Sequence, residues 1–345
     1  MDLKKIFIKD ANPTKVGGQA VLEGIMMKGA ERTSIALRLP DGGIHIKTEK
    51  NPRPGKLTRV PLIRGAIVFF ASLVQGIRTL MYSADVLAQY EDDEEEQQPE
   101  EQGRFTSWLE EKYGEKAVWN FMLYSSLFLA IVFSVGIFMI GPTILTSAMK
   151  HITTNEILLN LFEGVLRIAL FILYIVIVSK MPDIRRTFEY HGAEHKCIHC
   201  YENGLELTPA NCQTFYTLHP RCGTSFLMFV LVIALILFSL LGWPNLLWRI
   251  LSRVLLIPVI AGLSYELLKW AGSTDNWFVK ILSIPGLALQ KITTAQPDDS
   301  ELEVAIAAMK AVLAEEGDYG EGRCDAEGHI IERKEPLETG GVTAD

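Results

Sequence analysis

The alternation of hydrophobic and polar positions separates a short mixed region at the N-terminus from a long helical remainder. Within the polar, glycine-rich residues 1–60, the runs Ser34–Leu39 and Gly43–Thr48 alternate on either side of Pro40-Asp-Gly-Gly. Short alternating runs joined by residues that accept positive φ predict a β-hairpin. We therefore predict a small β-containing region over residues 1–60.

Four later runs are apolar and long enough to cross the roughly 30 Å of hydrocarbon in a bilayer. They cover about 118–140, 157–180, 224–243 and 245–269. The stretch 61–90 is also apolar, but Arg64, Gln75 and Arg78 interrupt it at helical spacing. This pattern predicts an amphipathic helix at the membrane interface and not a span. The predicted fold class is mainly α: a multi-pass helical membrane bundle with a small β-containing N-terminal cytoplasmic region.

The other segments complete the predicted domain organisation. An acidic linker over 91–103 precedes a helix that Ser107 caps, and this helix and the first two spans occupy 104–180. Residues 181–223 form a loop, and 224–269 hold the last two spans. An interfacial segment and a C-terminal amphipathic helix capped at Ser300 fill 270–316, and we predict a disordered tail over 317–345.

Charge is distributed unevenly along the 345 residues. The formal net charge is −8, and the acidic stretch Glu91–Glu101 holds eight acidic groups, so the rest of the chain is close to neutral. This balance argues against nucleic acid as a partner. The N-terminal residues also lack the apolar core of a secretory signal.

Lysines and arginines indicate the orientation of the spans. They are frequent before the first span and within 180–223, whereas the loop 141–156 contains only Lys150. Positive residues are retained on the cytoplasmic side, so we predict a multi-pass protein of the cell membrane with both termini and the 181–223 loop in the cytoplasm. The cytoplasm is a reducing compartment, which agrees with the interpretation of the cysteines as free thiols or metal thiolates.

Histidines and cysteines are concentrated in the 181–223 loop. The chain has seven His and five Cys, and four of each fall within residues 191–222. They are His191, His195, His199, His219, Cys197, Cys200, Cys212 and Cys222. If 184–202 is a helix with Asp183 as its cap and Asn203-Gly204 as its stop, the first three histidines share one face.

His191-x-x-Glu194-His195 has the H-x-x-E-H order of inverzincin metalloproteases, in which two imidazoles bind Zn²⁺ and the carboxylate acts on bound water. A catalytic zinc also needs a third protein ligand and an open position. His219 is the first candidate for that ligand and Cys222 is the second. We therefore predict zinc as the cofactor and Glu194 as the catalytic base.

Three other interpretations of this cluster remain open. The histidines could form a solvated helix face. Cys197-x-x-Cys200 could join His219 and Cys222 in a closed structural zinc site. The same Cys pair could be a redox dithiol, although no thioredoxin-like βαβ pattern surrounds it. An open coordination position distinguishes the catalytic site, because a closed site cannot activate water.

Several motifs together resemble those of the YqhQ family. They are Gly17–Met27, Arg64-Gly65, His191–Lys196, Tyr201-Glu202 and His219–Phe226. The resemblance covers about residues 15–310 and implies a bacterial multi-pass membrane protein, described as a predicted metal-dependent enzyme of otherwise unknown function. It implies no substrate. At matching positions it implies a role for His191, Glu194, His195, His219 and Cys222, whereas Cys197, His199, Cys200 and Cys212 fall outside its motifs.

Charged residues also occur within the predicted spans. With 1.5 Å of rise per residue, Glu163 lies at a depth similar to those of Arg249 and Arg253, and Arg167 lies deeper. Charges inside a membrane tend to pair or to line a cavity. We predict that Glu163 pairs with an arginine of the fourth span, leaving surplus positive charge that either fixes helix register or binds an anionic lipid.

Two functions from different classes follow. The leading hypothesis is a zinc-dependent hydrolase that acts at the cytoplasmic membrane face on a membrane-associated substrate, with Lys196 or Arg221 facing an anionic group of that substrate. The alternative is a non-enzymatic membrane scaffold or assembly factor with a structural zinc site, whose acidic linker and C-terminal helix dock partners. A transporter is a third possibility, but the spans lack paired interrupted helices.

Overall fold

The protein is described here by a computed structural model, which covers residues 12–53, 55–95, 112, 114–241, 246–273, 277–314, 319–325 and 329–333. The chain forms two compact units. Unit 1 takes the described parts of Met1–Tyr90, Ile175–Val230 and Pro258–Asp345, and unit 2 takes those of Glu91–Tyr174 and Leu231–Ile257.

An antiparallel sheet in the order β1-β2-β3-β4-β5-β6 is the framework of unit 1. Its first four strands are β1 (Gly17–Val21), β2 (Gly24–Lys28), β3 (Arg32–Arg38) and β4 (Ile44–Lys50). The predicted hairpin is confirmed as β3 and β4, with Ile35 opposite Lys47. The glycine-containing run that precedes it forms a second hairpin, β1 and β2, with Gln19 opposite Met26.

The sheet is completed by the C-terminal part of the chain. Strands β5 (Gly320–Cys324) and β6 (Ile330–Arg333) extend it, because β5 pairs with β4 so that Ile46 lies opposite Gly322. The prediction of a disordered tail over 317–345 is therefore wrong for these strands, and 334–345 lie outside the described residues. Disorder was predicted because glycines and acidic residues make this segment weakly hydrophobic. Its backbone forms strands nevertheless, because the edge of β4 pairs with the backbone groups of β5.

The helices occupy most of the chain. In order they are α1 (Ile63–Glu95), α2 (Glu115–Val135), α3 (Gly141–Ala148), α4 (Glu156–Val178), α5 (Pro182–Glu202), α6 (Pro209–Gln213), α7 (Gly223–Leu240), α8 (Leu246–Ser273), α9 (Trp277–Thr293) and α10 (Asp299–Leu313). A 3₁₀ turn, Lys56–Arg59, precedes α1, a π-helical turn, Gly136–Ile140, joins α2 to α3, and a second 3₁₀ turn, Met149–His151, follows α3.

Five stretches of helix are long and apolar enough to cross a membrane by length and composition. They are Ile63–Tyr90, Tyr124–His151, Glu156–Val178, Gly223–Leu240 and Leu251–Trp270. The last four correspond to the four predicted runs, and the first is the helix predicted to lie at the interface. Such a set of helices is typical of a multi-pass membrane protein. Helix α1 continues to Glu95, so the predicted acidic linker begins as helix, while Ser107 lies outside the described residues.

Helix α10 lies in the core of unit 1. It packs on strands β2, β3 and β4 and on α5, and it is apolar on nearly all sides, so that Leu302, Ala305 and Met309 are completely buried. Its cap is Asp298, in a capping box with Glu301, and not Ser300 as predicted. A helix surrounded in this way is not available to dock partners, which removes one element of the scaffold hypothesis.

The alternation along each strand sends side chains to two different cores. Ile25, Met27 and Ile46 face α10 and α5, whereas Met26 and Leu37 point to the opposite face, where Val86 of α1 covers them. A sheet covered on both faces fixes the register of its strands, because a shift by one residue would exchange the two cores. This rigid unit positions the candidate site.

Candidate metal centre

Helix α5 places His191 and His195 one turn apart on the same face. The N-cap residue of the helix is Met181, and Pro182 lies in the first turn. Asp183, which was predicted to be the cap, lies within the first turn instead. It ends at Glu202, and Gly204 adopts a positive φ of 71° just beyond that end. The residues facing the sheet and α10 are largely buried, so this segment is not a solvated helix face.

Cys222 joins these two histidines. Its Sγ lies 3.2 Å from Nε2 of His191, and the rings of His191 and His195 are 4.5 Å apart between centroids. One donor atom from each of the three residues lies within 4.8 Å of the other two. The structure thus brings Cys222, the second candidate for the third ligand, to the two histidines, because the turn after His219 directs the thiol towards the two imidazoles.

The backs of both imidazole rings are held by main-chain carbonyl groups. Nδ1 of His191 donates to Thr293 O at 2.8 Å, and Nδ1 of His195 donates to Thr217 O at 2.5 Å. A carbonyl oxygen can only accept, so each neutral ring carries its hydrogen on Nδ1 and turns the Nε2 lone pair inward. Nε2 of His195 is buried and has no hydrogen-bond partner among the described residues. This arrangement is the one that orients histidine ligands for a metal ion.

The charge states of this triplet follow from the contact between the sulfur and the imidazoles. Burial raises the pKa of the Cys222 thiol, but the neighbouring imidazoles of His191 and His195 outweigh burial and lower it well below its ordinary value. Burial likewise lowers the pKa of His191, yet the adjacent sulfur raises it to about 9, so without a metal ion the pair is a thiolate beside an imidazolium. A metal ion would bind here by displacing the proton from Nε2 of His191. The thiolate is the form of cysteine that binds metals, so the surroundings favour that form.

Glu194 lies beside the triplet and is 4% exposed. Its Oε2 has no hydrogen-bond partner among the described residues, and the backbone of Gly18 lies close to its carboxylate. Burial raises the pKa of Glu194, although the two imidazoles oppose this effect. A carboxyl group held against a potential metal site with one oxygen unengaged has the properties of a general base.

Gly18 on β1 makes this close approach possible. A Cβ placed on it would lie 2.9 Å from Cδ of Glu194 and 2.6 Å from the backbone oxygen of Met26. The sequence offered a signal here, since a glycine-rich run can approach a ligand, but a simple turn explained it as well. The segment that approaches Glu194 is the backbone of strand β1 and not a loop.

A second triplet lies one helical turn further along α5. It consists of His199, Glu202 and His219, whose donor atoms also lie within 4.8 Å of one another. His199 Nε2 donates to Leu218 O at 3.0 Å, and Nδ1 of His219 accepts from the backbone N–H of Arg221 at 3.3 Å. His219, the first candidate for the third ligand, therefore belongs to a different cluster from His191 and His195.

The hydrogen bonds of this second triplet are occupied by protein groups. Arg221 donates to both oxygens of Glu202, and Thr14 donates to Oε1 from its backbone N–H at 2.8 Å and from its hydroxyl at 3.1 Å. Burial raises the pKa of Glu202, but His219, Thr14 and Arg221 together lower it to about 2. Burial lowers the pKa of His219 to about 3. The cluster is a neutral imidazole beside a salt bridge.

The two residues predicted to bind substrate have structural partners instead. Lys196 is buried, and its ammonium group donates to Gln213 O at 2.9 Å and to Phe215 O at 2.7 Å. Arg221 is engaged by Glu202. Both predictions are corrected by these contacts: the two cations hold the loop between α5 and α7, and neither faces the Cys222 triplet.

The remaining cysteines of α5 lie in the apolar core. Cys197 and Cys200 are fully buried, and their thiols face main-chain oxygens of Ala305 and Glu206. Cys212 is buried near them, and all are free thiols. Because neither Cys197 nor Cys200 joins His219 and Cys222 in a metal-binding group of the described residues, the closed structural site is not formed.

Gln290 on α9, which the sequence did not single out, fixes the turn that carries Cys222. Its amide oxygen accepts from His219 N and its amide nitrogen donates to His219 O, both at 2.8 Å. The side chain is completely buried. Nearby, Gly286 lets α9 approach Ser225 so closely that an added Cβ would lie 2.6 Å from its hydroxyl oxygen.

The predicted charge network lies in unit 2. Arg253 donates to both oxygens of Glu163, at 2.6 and 2.9 Å, and Arg167 and the Thr143 hydroxyl also donate to Oε1. The side chain of Arg249 is outside the described residues. Glu163 is 1% exposed and Arg253 is 5% exposed, so this pair is dry and fixes the register of α4 against α8.

Comparisons with known proteins identify relatives without an assigned activity. A family model described as "Protein of unknown function (DUF1385)" matches residues 60–315. The chain is 33% identical over 309 residues to the uncharacterized protein YqhQ of Bacillus subtilis (strain 168), an alignment that covers 87% of this chain and 93% of that protein. No solved structure matches.

Proposed function

Since the chain belongs to the family described as protein of unknown function DUF1385, we propose its function from the candidate metal centre: a membrane-embedded, metal-dependent hydrolase. The observation that carries the proposal is the convergence of Nε2 of His191, Nε2 of His195 and the Cys222 thiolate beside an unengaged carboxylate oxygen. Imidazole and thiolate are the ligands that zinc prefers.

Each residue of this site has a distinct role. A bound Zn²⁺ would supply a Lewis acid and lower the pKa of its water towards about 7. His191, His195 and Cys222 would hold the ion, and a set of three protein ligands would leave a position for water. Glu194 accepts the proton of the attacking water and returns it to the leaving group. The carbonyls of Thr217 and Thr293 keep both rings in the tautomer that can bind.

The number of ligands supports catalysis over a structural role. A structural zinc site has four protein ligands and no open position. Among the described residues, the metal-binding group contains three, and Cys197 and Cys200 point into the core. Cys222 and His191 are partly exposed, in contrast to His195. A substrate would therefore approach the site from the side of Cys222 and His191.

The contacts within unit 1 support four membrane crossings. Helix α5 packs on β1 and α10, and α10 packs on the sheet, so α5 and the sheet belong on the same side of a membrane. An even number of crossings must therefore separate β4 from α5, although three apolar helices lie between them. We assign the interfacial position to α1, because its Tyr82 and Val86 pack on the sheet and Gln19 bonds to its backbone at Gly76.

The same parity supports termini on one side. Strand β5 pairs with β4, and two apolar helices, α7 and α8, separate α5 from that strand. Lysines and arginines between 180 and 223 favour the cytoplasm for this side, where the five free cysteines remain reduced. The proposed active site therefore acts at the cytoplasmic surface, on a membrane-associated substrate.

A cobalt substitution tests the open position. The full-length protein is purified in detergent, stripped with a chelator and loaded with Co²⁺, whose thiolate charge-transfer and ligand-field bands report on its ligands. We expect a thiolate band that is lost in Cys222→Ser, and ligand-field bands that change when acetohydroxamate is added. A bound hydroxamate requires a coordination position that the protein does not occupy.

Hydrolysis is tested with the zinc-loaded protein and an activated ester, p-nitrophenyl acetate. Glu194→Gln should keep the metal and lower the rate at least about a hundredfold, the usual contribution of a general base. If acetohydroxamate leaves the cobalt spectrum unchanged, and Glu194→Gln matches the parent rate, the site is structural and the hydrolase proposal fails. Lys310→Ala, a change of one charge on α10 away from the triplet, is the control.

A further inference from the structure

A cavity on the opposite face of the sheet has no part in the metal centre. It has a volume of about 670 Å³ and lies between the sheet and α1. Its lining includes four cations, Lys28, Lys47, Lys50 and Arg78, against the one carboxylate of Glu49. Four positive charges and one negative charge leave a formal excess of three positive charges in one concave space.

The strand alternation creates this composition. On the face that α1 covers, Met26, Ile35 and Leu37 form an apolar core with Val86. Further along the same face the residues become polar: Lys28 lies opposite Thr33, and Thr33 lies opposite Glu49. These polar rows and α1 form the walls of the cavity.

The cations are placed by neutral groups as well as by Glu49. The ammonium of Lys28 bonds to Oε1 of Gln75 at 2.7 Å, an amide that leaves its charge uncompensated. Lys47 lies 3.0 Å from Glu49 and 4.5 Å from the centre of the Tyr82 ring. Arg78 of α1 lines the same cavity and is exposed. A multiply charged anion would satisfy several of these donors together.

Part of the helical wall of the cavity is apolar and continues onto an exposed surface. Phe70, Ala71 and Val74 line the cavity, and Phe70, Leu73, Val74 and Ile77 are each more than 40% exposed. A site with several cations beside an open apolar track matches an amphiphile with an anionic head.

We propose that this cavity binds a phosphate-bearing ligand, an anionic phospholipid whose headgroup meets Lys28, Lys50 and Arg78 while its acyl chains lie along α1. The assignment of a lipid as the source of the phosphate rests on the membrane placement proposed above; the phosphate chemistry of the cavity does not. A lipid clamp here holds α1 at the interface and links the sheet to the bilayer.

Native mass spectrometry of the full-length protein in detergent tests this site. The protein is incubated with phosphatidylglycerol, with zwitterionic phosphatidylcholine or with inorganic phosphate. We expect phosphatidylglycerol to be retained about tenfold more than phosphatidylcholine, and the double variant Lys28→Ala with Arg78→Ala to abolish that preference. Ala71→Phe, which fills the cavity without changing charge, should weaken retention to the same extent.

A matched control distinguishes the cavity from general surface charge. Arg59→Ala removes an exposed cation in the turn before α1, outside the cavity lining, and should retain the lipid like the parent protein. Equal losses in Arg59→Ala and in the cavity variants, or an unchanged Ala71→Phe, would overturn the proposal. Retention of inorganic phosphate that competes with the lipid supports the phosphate site and identifies a soluble source.

The membrane placement is measured separately. Sedimentation of cell membranes shows whether the chain is embedded, and a fully soluble chain removes the lipid source but not the phosphate binding. The reverse result, an embedded chain that binds none of the three ligands, rejects the cavity proposal and leaves the proposed hydrolase unaffected. The two failures are therefore distinguishable.

Discussion

Helix α5 contributes two residues to each of two triplets of potential metal ligands. The two triplets differ in the groups that surround them. His191 and His195 take Cys222 as their third member, whereas His199 and Glu202, one helical turn along, take His219 from the same turn. In the first triplet, main-chain carbonyls accept from Nδ1 of both rings. Nε2 of His191 contacts the Cys222 sulfur, and Nε2 of His195 has no hydrogen-bond partner among the described residues. In the second, protein groups occupy the space between the ligands.

The difference lies in what surrounds each cluster. Glu202 already has a guanidinium and the Thr14 donors, so its charge is neutralised and its lone pairs are used. The Cys222 sulfur also has a threonine beside it, with the Thr224 backbone N–H at 3.4 Å and its hydroxyl at 3.0 Å. The charges that lower its pKa, however, are those of the imidazoles of His191 and His195 and not of a guanidinium. A set of ligand types within reach of each other therefore becomes a metal site only where neighbouring groups leave the donor atoms available.

The largest expected effect comes from removing one member of each triplet in turn. Cys222→Ala should lower zinc affinity at least about a hundredfold, because it removes a direct ligand, a loss at least as great as that of an outer partner. His219→Ala should keep zinc at the parent stoichiometry. Plasma mass spectrometry of the purified proteins measures the metal. Loss in His219→Ala with retention in Cys222→Ala would reverse the assignment of the two triplets.

Substitutions around the second triplet should lower the stability of the protein and leave its metal content unchanged. Arg221→Ala leaves the buried Glu202 carboxylate without its guanidinium, and breaking such a pair costs about 3 kcal/mol. Thermal unfolding of the metal-free protein measures the loss. Arg185→Ala is the matched control, since its pair with Glu189 also involves α5 but Arg185 is 70% exposed, and such surface pairs contribute less than about 1 kcal/mol.

Adjacent glycines on β1 test how closely the first triplet is packed. Gly18→Ala would press a Cβ against Glu194 and Met26, and overpacking of this kind costs about 1–3 kcal/mol. Gly17→Ala places its Cβ where no atom lies within 4 Å, and should change stability by less than about 0.5 kcal/mol. Denaturant unfolding compares the two variants, and equal stabilities would show that β1 does not press on Glu194.

The smallest expected effect concerns the pH dependence of stability, through the buried carboxyl group of Glu301 on α10. Burial raises the pKa of Glu301 to about 7, above its ordinary value, in contrast to the lowered pKa of Glu202. A raised carboxyl pKa contributes stability below the ordinary pKa and loses it as the pH rises through about 7. Glu301→Gln should therefore be more stable than the parent at pH 8, by about 1 kcal/mol, and its stability should vary less between pH 5 and 8. An unchanged pH profile would contradict this.

Much of the fold could be predicted from local periodicity. Three of the four apolar runs correspond to helices α4, α7 and α8 within a few residues of their predicted bounds, because a long apolar run constrains its own backbone. The first run, predicted to end near residue 140, continues as apolar helix to His151. The hairpin of β3 and β4 follows from alternation around a turn. The two C-terminal strands were missed since they depend on the edge of β4, a partner almost three hundred residues away.

The candidate site divides in the same way. The sequence determined that His191 and His195 share a helix face and that Glu194 lies between them, because helical spacing is a local property. It ranked His219 before Cys222, three residues further on in the same turn, whereas the structure groups Cys222 with the two histidines. That grouping depends on where Gln290 holds the turn and on which carbonyls meet each ring. Only the tertiary structure brings those groups together, since the direction of a turn is set by its distant contacts and not by its own residues.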